Sequence, residues 1–283
     1  MDGNQFLKLY QETLFEERFY DRLETIDGIQ IASVDFDDSM WWNNATTLNN
    51  LSQENISLVE KYFAGIGRKP TYYFAEGKLG DELEKTLSGF GYEQGSYEVW
   101  LEMQNPHIDN EKFEQVREVK SQDEMNVFLR TIDAGYGAND PDNPYGGLGK
   151  YLDQLQNAFT ARGDHAKIKH YVIFNDEGLA VGVGSLTSYE GIGYISNIAT
   201  IPSARRHGYG SAILNYLLDL SVKKGNSIHC LATEIGEYPD RLYRKIGFTE
   251  LFRAKYYVKK MNPKRVWCPL RDLNSHVRED TST

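Results

Sequence analysis

Residues Tyr194 to Leu220 read YISNIATIPSARRHGYGSAILNYLLDL, and the fold turns on how this stretch is divided. The apolar run from Tyr194 to Ile201 has the length and composition of a buried strand. Pro202 ends it, Ser203 to Gly210 form a basic, Gly-containing turn, and helical spacing sets in at Ser211. Ile213, Leu214, Leu217 and Leu218 then build an apolar face, with Asn215 and Asp219 on the polar one. A strand feeding such a turn into a helix suits an anion, because the first N–H groups of a helix lack intrahelical partners and point at it. Gly208 and Gly210 remove side chains that would keep the backbone away, and Arg205 and Arg206 add positive charge. The turn has no Gly-Lys-Ser/Thr of an ATP-type P-loop. Its two glycines cannot make the three-glycine dinucleotide fingerprint.

Arg205-Arg206-His207-Gly208-Tyr209-Gly210 resembles the Gln/Arg-x-x-Gly-x-Gly/Ala pyrophosphate loop of the GCN5-related N-acetyltransferases, the GNAT family, in that family's context of strand, Pro, loop and long helix. Leu242-Tyr243-Arg244-Lys245-Ile246-Gly247-Phe248 looks like the family's later Leu-Tyr-x-x-x-Gly-Phe motif. The resemblance implies the α/β GNAT fold, a mixed, mostly antiparallel sheet flanked by helices. It implies acetyl-CoA as donor, direct attack of an amine on the thioester, and no metal. On this resemblance the backbone of Ile198, Ala199 and Thr200 runs beside the pantetheine arm. The pyrophosphate rests on amides of Arg206, His207, Gly208, Tyr209, Gly210 and Ser211, with Arg205 beside it. The side chain of His207 then faces solvent, and Tyr209 packs next to the cofactor.

Tyr243 is the acid expected from the second motif, since a phenol near pKa ~10 stays protonated at neutral pH and can serve a leaving thiolate. The base is less determined. The histone-acetylating branch has a glutamate on its fourth strand, where this chain has Tyr194. Glu234, at the end of the following strand, can relay a proton through water; Glu190 is an alternative, and either can equally be a solvated strand-end carboxylate. Gly236 departs from the Asn that many relatives carry seven residues before the tyrosine. Gly135 to Gly149 is a long Gly/Asn/Asp/Pro loop. Its Tyr136, Asp140, Asp142 and Tyr145 are candidates to line an acceptor pocket, although solvated turn residues account for the same letters.

With 283 residues the chain can form two modest domains, each with its own core. A net charge of −10 argues against nucleic acid as a partner and mildly favours a cationic one. Cys230 and Cys268 make no disulfide framework, and neither they nor His165, His170 and His229 have metal-ligand spacing. Apolar runs are of strand length, which leaves no membrane span, and no secretory pattern opens the chain; the cytoplasm is the default expectation.

An internal repeat ties the two ends together. Shifting the sequence by 158 positions lays Gly67, Glu76, Gly89, Phe90 and Met103 on Gly225, Glu234, Gly247, Phe248 and Met261. The same shift sets Ile56, Val59 and Tyr62 against Leu214, Leu217 and Leu220, a shared apolar helix face. The division expected is a degenerate GNAT-like domain over 1–104, a linker over 105–112, a catalytic GNAT domain over 113–261 and a tail over 262–283. Thr47, Asn50, Ser52 and Lys85 stand opposite Arg205, Gly208, Gly210 and Tyr243, so the first copy is not expected to hold a pyrophosphate. It would shape the acceptor cleft or a subunit interface, as in a homodimer. The function expected is acetylation of a primary amine on a small molecule or peptide. A non-catalytic acyl-CoA-binding module, and transfer of another acyl group or to an alcohol, remain as alternatives.

Overall fold

The computed structural model describes residues 1–137, 147–161 and 166–260. The expected tail, Asp140, Asp142, Tyr145, His165 and Cys268 lie outside the described residues. In chain order the first half runs α1 (Gly3–Glu16), β1 (Arg22–Ile26), β2 (Ile29–Ser33), β3 (Asn44–Thr46), α2 (Gln53–Gly65), β4 (Thr71–Ala75), α3 (Lys78–Gly89) and β5 (Tyr92–Glu102). The second half continues with β6 (Val116–Glu118), α4 (Gln122–Gly135), α5 (Tyr151–Ala161), β7 (Ile168–Phe174), β8 (Ala180–Tyr189) and β9 (Ile192–Thr200). It ends with α6 (Tyr209–Lys223), β10 (Ile228–Glu234), α7 (Tyr238–Ile246) and β11 (Thr249–Lys259).

The 158-residue shift is a structural repeat. It lays α2, β4, α3 and β5 on α6, β10, α7 and β11, and the β3–β4 and β9–β10 pairs are the two parallel contacts in an otherwise antiparallel sheet. The two halves do not form separate sheets with separate cores. Among the described residues eleven strands join in the order β1-β2-β3-β4-β11-β5-β10-β9-β8-β7-β6, because each half gives its last strand to the other. β5 lies against β10, β11 lies against β4, and β5 and β11 pair with each other at the centre. Tyr97 faces Lys255 there, two positions that the same shift of 158 relates.

Strand alternation feeds two layers of helices. Tyr72 and Phe74 pack with Ile56, Val59 and Leu83 of α2 and α3, while Tyr73 and Ala75 face Phe6 and Leu7 of α1. On exchanged β5, Val99 and Leu101 enter the core beneath α6, whereas Trp100 turns to the α1 side. Trp100 is fully buried, and truncating a core ring of this kind costs about 3–5 kcal/mol. The exchange is therefore held by core packing as well as by strand pairing.

The helix that begins the chain ends at Glu16, and Arg22–Ile26 forms an edge strand paired to β2. The polar stretch 37–50 contains β3, whose Asn44 is buried. Its side chain accepts from Gln11 Nε2 at 2.6 Å and donates to the carbonyls of Met40 and Trp41, which offsets the cost of its burial. Residues Phe113–Gln115 form a short 3-10 turn ahead of β6.

Candidate active site

β9 and β10 pair only from Ile228↔Ile192 to Cys230↔Tyr194 and then separate. Two features split them. β10 continues along β5 as far as Glu234↔Glu98, while β9 bulges where Asn197 and Ile198 together oppose Gly184. Asn197 takes a left-handed φ of 55°, which its amide side chain tolerates. Its side chain accepts from the Tyr151 hydroxyl at 2.9 Å and donates to Ser185 Oγ at 3.1 Å. Bulges of this kind re-aim a strand and end its pairing. The backbone of Ile195 to Thr200 is thereby left without a strand partner on the β10 side, although the Ile198 and Thr200 carbonyls each accept one side-chain hydrogen bond, from Tyr136 and Arg205.

The gap opens into a cleft of about 1120 Å³. Ile198, Ala199 and Thr200 line it from β9, and Arg205, Arg206, Gly208, Gly210 and Ser211 from the turn and α6. Glu234 and Tyr243 line it from β10 and α7. Ten of the twelve residues that the sequence singles out therefore meet in one place. The other two stand aside. His207 is exposed, with Nδ1 2.8 Å from the Arg205 carbonyl, and Tyr209 packs against the core under α6.

Gly208 is the N-cap of α6, at a φ of 85° that favours glycine, and offers no side chain to the helix. A Cβ at Gly210 would lie 3.1 Å from Thr200 Oγ1, so this helix turn sits tight against the end of β9. Arg205 is a brace more than a lip charge. Its Nε donates to the Thr200 carbonyl at 3.3 Å, and Nη2 to the Gly135 carbonyl at 3.2 Å, at the C-terminal end of α4. Arg206 is the exposed cation of the turn. Tyr243 is partly buried, edge-on to Phe248 at 5.7 Å. Glu190 sits in the β8–β9 hairpin, at the opposite end of β9 from Thr200. Tyr136 lines the cleft and donates to the Ile198 carbonyl at 3.3 Å.

Sequence reasoning assigned the first repeat a part in shaping the cleft but named none of the residues it contributes. Tyr10, Tyr20, Trp41, Trp42, Tyr73, Glu98 and Trp100 all line the cleft. Glu98 lies directly opposite Glu234 on neighbouring strands, so both carboxylates project from the same face of the sheet. Tyr73 donates to Glu98 Oε2 at 2.7 Å and accepts from Trp100 Nε1 at 2.9 Å, and Ser96 Oγ donates to Glu234 Oε1 at 3.0 Å. Burial pushes the Glu98 carboxyl up; the Tyr73 hydroxyl opposes this, the Glu234 charge adds to it, and the result is about 7. The sequence carries only a weak signal, Glu98 standing immediately before the apolar run Val99-Trp100-Leu101 of a strand that is otherwise half polar. Assigning it to this site required the strand exchange.

Residues 167–250, the segment from β7 to the start of β11, match the family model described as acetyltransferase (GNAT) domain. This segment carries both the sequence match and the fold of a GNAT domain. Solved structures extend the likeness in fold to most of the chain. A GCN5-related N-acetyltransferase from Kribbella flavida superposes with a TM-score of 0.64 at 16% identity, covering 92% of this chain and 96% of that one. A tandem GNAT protein from the clavulanic acid biosynthesis pathway gives 0.59 at 10% identity, over 84% and 79%. A GCN5-related N-acetyltransferase from Sphaerobacter thermophilus gives 0.57 at 12%, over 84% and 82%. No curated protein matches the sequence. The GNAT domain thus supplies β9, the turn and α6, while the preceding repeat supplies the opposite wall of the cleft. Among the described residues no helix is long and apolar enough to cross a membrane, and no group of three or more His, Cys, Asp or Glu is placed to hold a metal.

Proposed function

We propose that the protein is an acetyl-CoA-dependent N-acetyltransferase acting on a primary amine of a small molecule or peptide. One observation carries the reading. The unpaired edge of β9 and the uncapped N-terminus of α6 open into the same cleft as Tyr243. An extended amide-containing arm can pair with the Ile198–Thr200 backbone as an added strand would. A pyrophosphate at its far end meets the first amides of α6, where the helix dipole favours negative charge. Arg205 keeps this turn fixed to β9 and α4, and Arg206 adds an exposed positive charge. Tyr243 then gives a proton to the departing thiolate. Holding both reactants at attack distance accounts for much of the rate, since effective molarities of about 10⁵–10⁸ M are within reach of well-oriented pairs. The cytoplasm suits this chemistry, where the buried Cys230 thiol stays reduced.

A thermal-shift titration with acetyl-CoA, CoA and longer acyl-CoAs tests the donor site, because a ligand of the folded state alone raises the melting temperature. A rise with acetyl-CoA, followed by amine-dependent release of free CoA, is the expected outcome. No shift with any acyl-CoA rules the reading out.

A further inference from the structure

The cleft is polarised along its length. Arg205 and Arg206 stand at the α6 end, and the acids Glu98, Glu234 and Asp37 line it elsewhere. Rings of Tyr10, Tyr20, Trp42, Trp100, Tyr151 and Tyr194 line the same cleft as Glu98, with Tyr20 and Tyr194 near enough to feel its charge. They touch one another edge-on or tilted, with Tyr10 5.0 Å from Tyr194 and 5.2 Å from Trp100, and Trp42 5.5 Å from Tyr151. Such a chamber is a largely apolar container whose wall carries the neighbouring acids Glu98 and Glu234. Ring faces attract a cation, and their area favours an apolar body over a hydrated one.

We propose that Glu98, carried into the second half by the exchanged strand, is the base that takes the acceptor's proton, and that the ring-lined chamber around it selects an amine borne on an aromatic or alkyl body. This rests on the acetyltransferase reading for its donor, but the amine site stands on its own geometry. The groups facing Glu98 come from every neighbouring element: Tyr73 of β4, Glu234 of β10, Tyr194 of β9, Tyr256 of β11, and Tyr20. None is cationic, so an incoming ammonium is the natural partner. A carboxyl held at about 7 by burial, against Tyr73 and with Glu234, matches the operating range of a general base. Glu234, considered from sequence as a water-relayed base, here raises the proton affinity of its neighbour.

The protons balance. The acceptor enters as an ammonium, and the Glu98 carboxylate takes one N–H proton. The freed lone pair forms the C–N bond to the thioester carbonyl carbon, and the C–S bond breaks with its electron pair on sulfur. Tyr243 gives its hydroxyl proton to that sulfur, and the second N–H proton returns to the tyrosine oxygen. Glu98 then loses its proton to solvent, so ammonium and thioester become amide, thiol and one free proton.

Binding calorimetry with 2-phenylethylamine as the probe, at pH 7 in buffers of different ionisation enthalpy, counts protons without requiring turnover. Near its pKa Glu98 is about half protonated, so ammonium binding should expel about half a proton from the wild-type protein. Glu98→Gln should expel none, and Glu234→Gln should expel less than wild type because its Glu98 is already more ionised. Both variants are checked for an undiminished melting temperature and unchanged acetyl-CoA affinity. Spermidine, whose short alkyl segments carry two further ammonium charges that the ring-lined chamber would have to desolvate, should bind at least tenfold more weakly. Absent binding of 2-phenylethylamine, equal proton release from Glu98→Gln, or equal affinity for spermidine overturns the proposal. Glu98-dependent release in a protein that fails to bind acetyl-CoA upholds the amine site while removing the acetyltransferase reading.

Discussion

The N-termini of α2 and α6 occupy equivalent positions in the repeat, and they treat their exposed amides in opposite ways. Ser52 caps α2 with a closed box: its side chain accepts from Asn55 N at 3.1 Å, and Asn55 Oδ1 accepts from Ser52 N at 3.0 Å. Thr47 Oγ1 accepts from Asn49 N at 3.1 Å in the turn before it. α6 has Gly208 in the capping place and no side-chain cap. One helix satisfies its own donors and gains stability; the other leaves them for a ligand. The strands that lead in differ as well, β3 being three residues long and β9 nine. The first repeat has thus closed its anion site while contributing β5, and with it Glu98, to the second.

The largest effect should come from closing the open terminus. Gly210→Val places its first side-chain carbon 3.1 Å from Thr200 Oγ1 and its methyl groups in the cradle. Acetyl-CoA affinity should fall at least ~100-fold, close to 3 kcal/mol, with little loss of melting temperature, as read by calorimetry. Unchanged affinity would mean that the α6 terminus is not where the pyrophosphate sits. Next comes Tyr243→Phe, expected to lower kcat by about 10²–10³ while acetyl-CoA affinity stays within twofold. A variant that turns over normally assigns Tyr243 a packing role against Phe248.

These residues were legible because their chemistry is local. Strand, turn and helix follow one another within 27 residues, so the spacing of Gly208, Gly210 and Thr200 in the chain is also their spacing in space. The repeat was legible for the same reason, since each helix and strand keeps its order. The strand exchange was not, because Tyr92–Glu102 reads as the same half-buried strand whichever sheet receives it. Glu98 was missed with it. β3 was missed because Asn44 and Thr46 are polar letters, and only the partners of Asn44 explain its burial.

Glu98 also distinguishes the halves by pH. Its folded pKa, about 7, lies above the ordinary value of 4.5, so between these values the folded protein holds a proton that the unfolded chain has lost. Stability from this group therefore falls as pH rises from about 4.5 to about 7, by on the order of 3 kcal/mol, and is flat above. Glu98→Gln should match wild type near pH 4 and melt higher at pH 8. A difference that is constant with pH would show that Glu98 ionises as an ordinary surface carboxylate.

The smallest expected effect bears most directly on the contrast between the two helices. Ser52→Ala breaks one arm of the α2 box and should cost about 1 kcal/mol of stability, read by denaturant midpoint, with no change in acetyl-CoA binding. Freed amides alone do not make a site there. The turn at Thr47–Leu51 has no glycine to admit a ligand, and Leu51 is buried against the α2 core. Three-residue β3 also has no long free edge comparable with Ile195–Thr200. If Ser52→Ala instead gained a second acetyl-CoA equivalent, the cap would be the only barrier separating the two copies. If it gains none, the donor site needs the bulge, the glycines and the open terminus together, and losing them jointly is what left the first repeat to work through its exchanged strand.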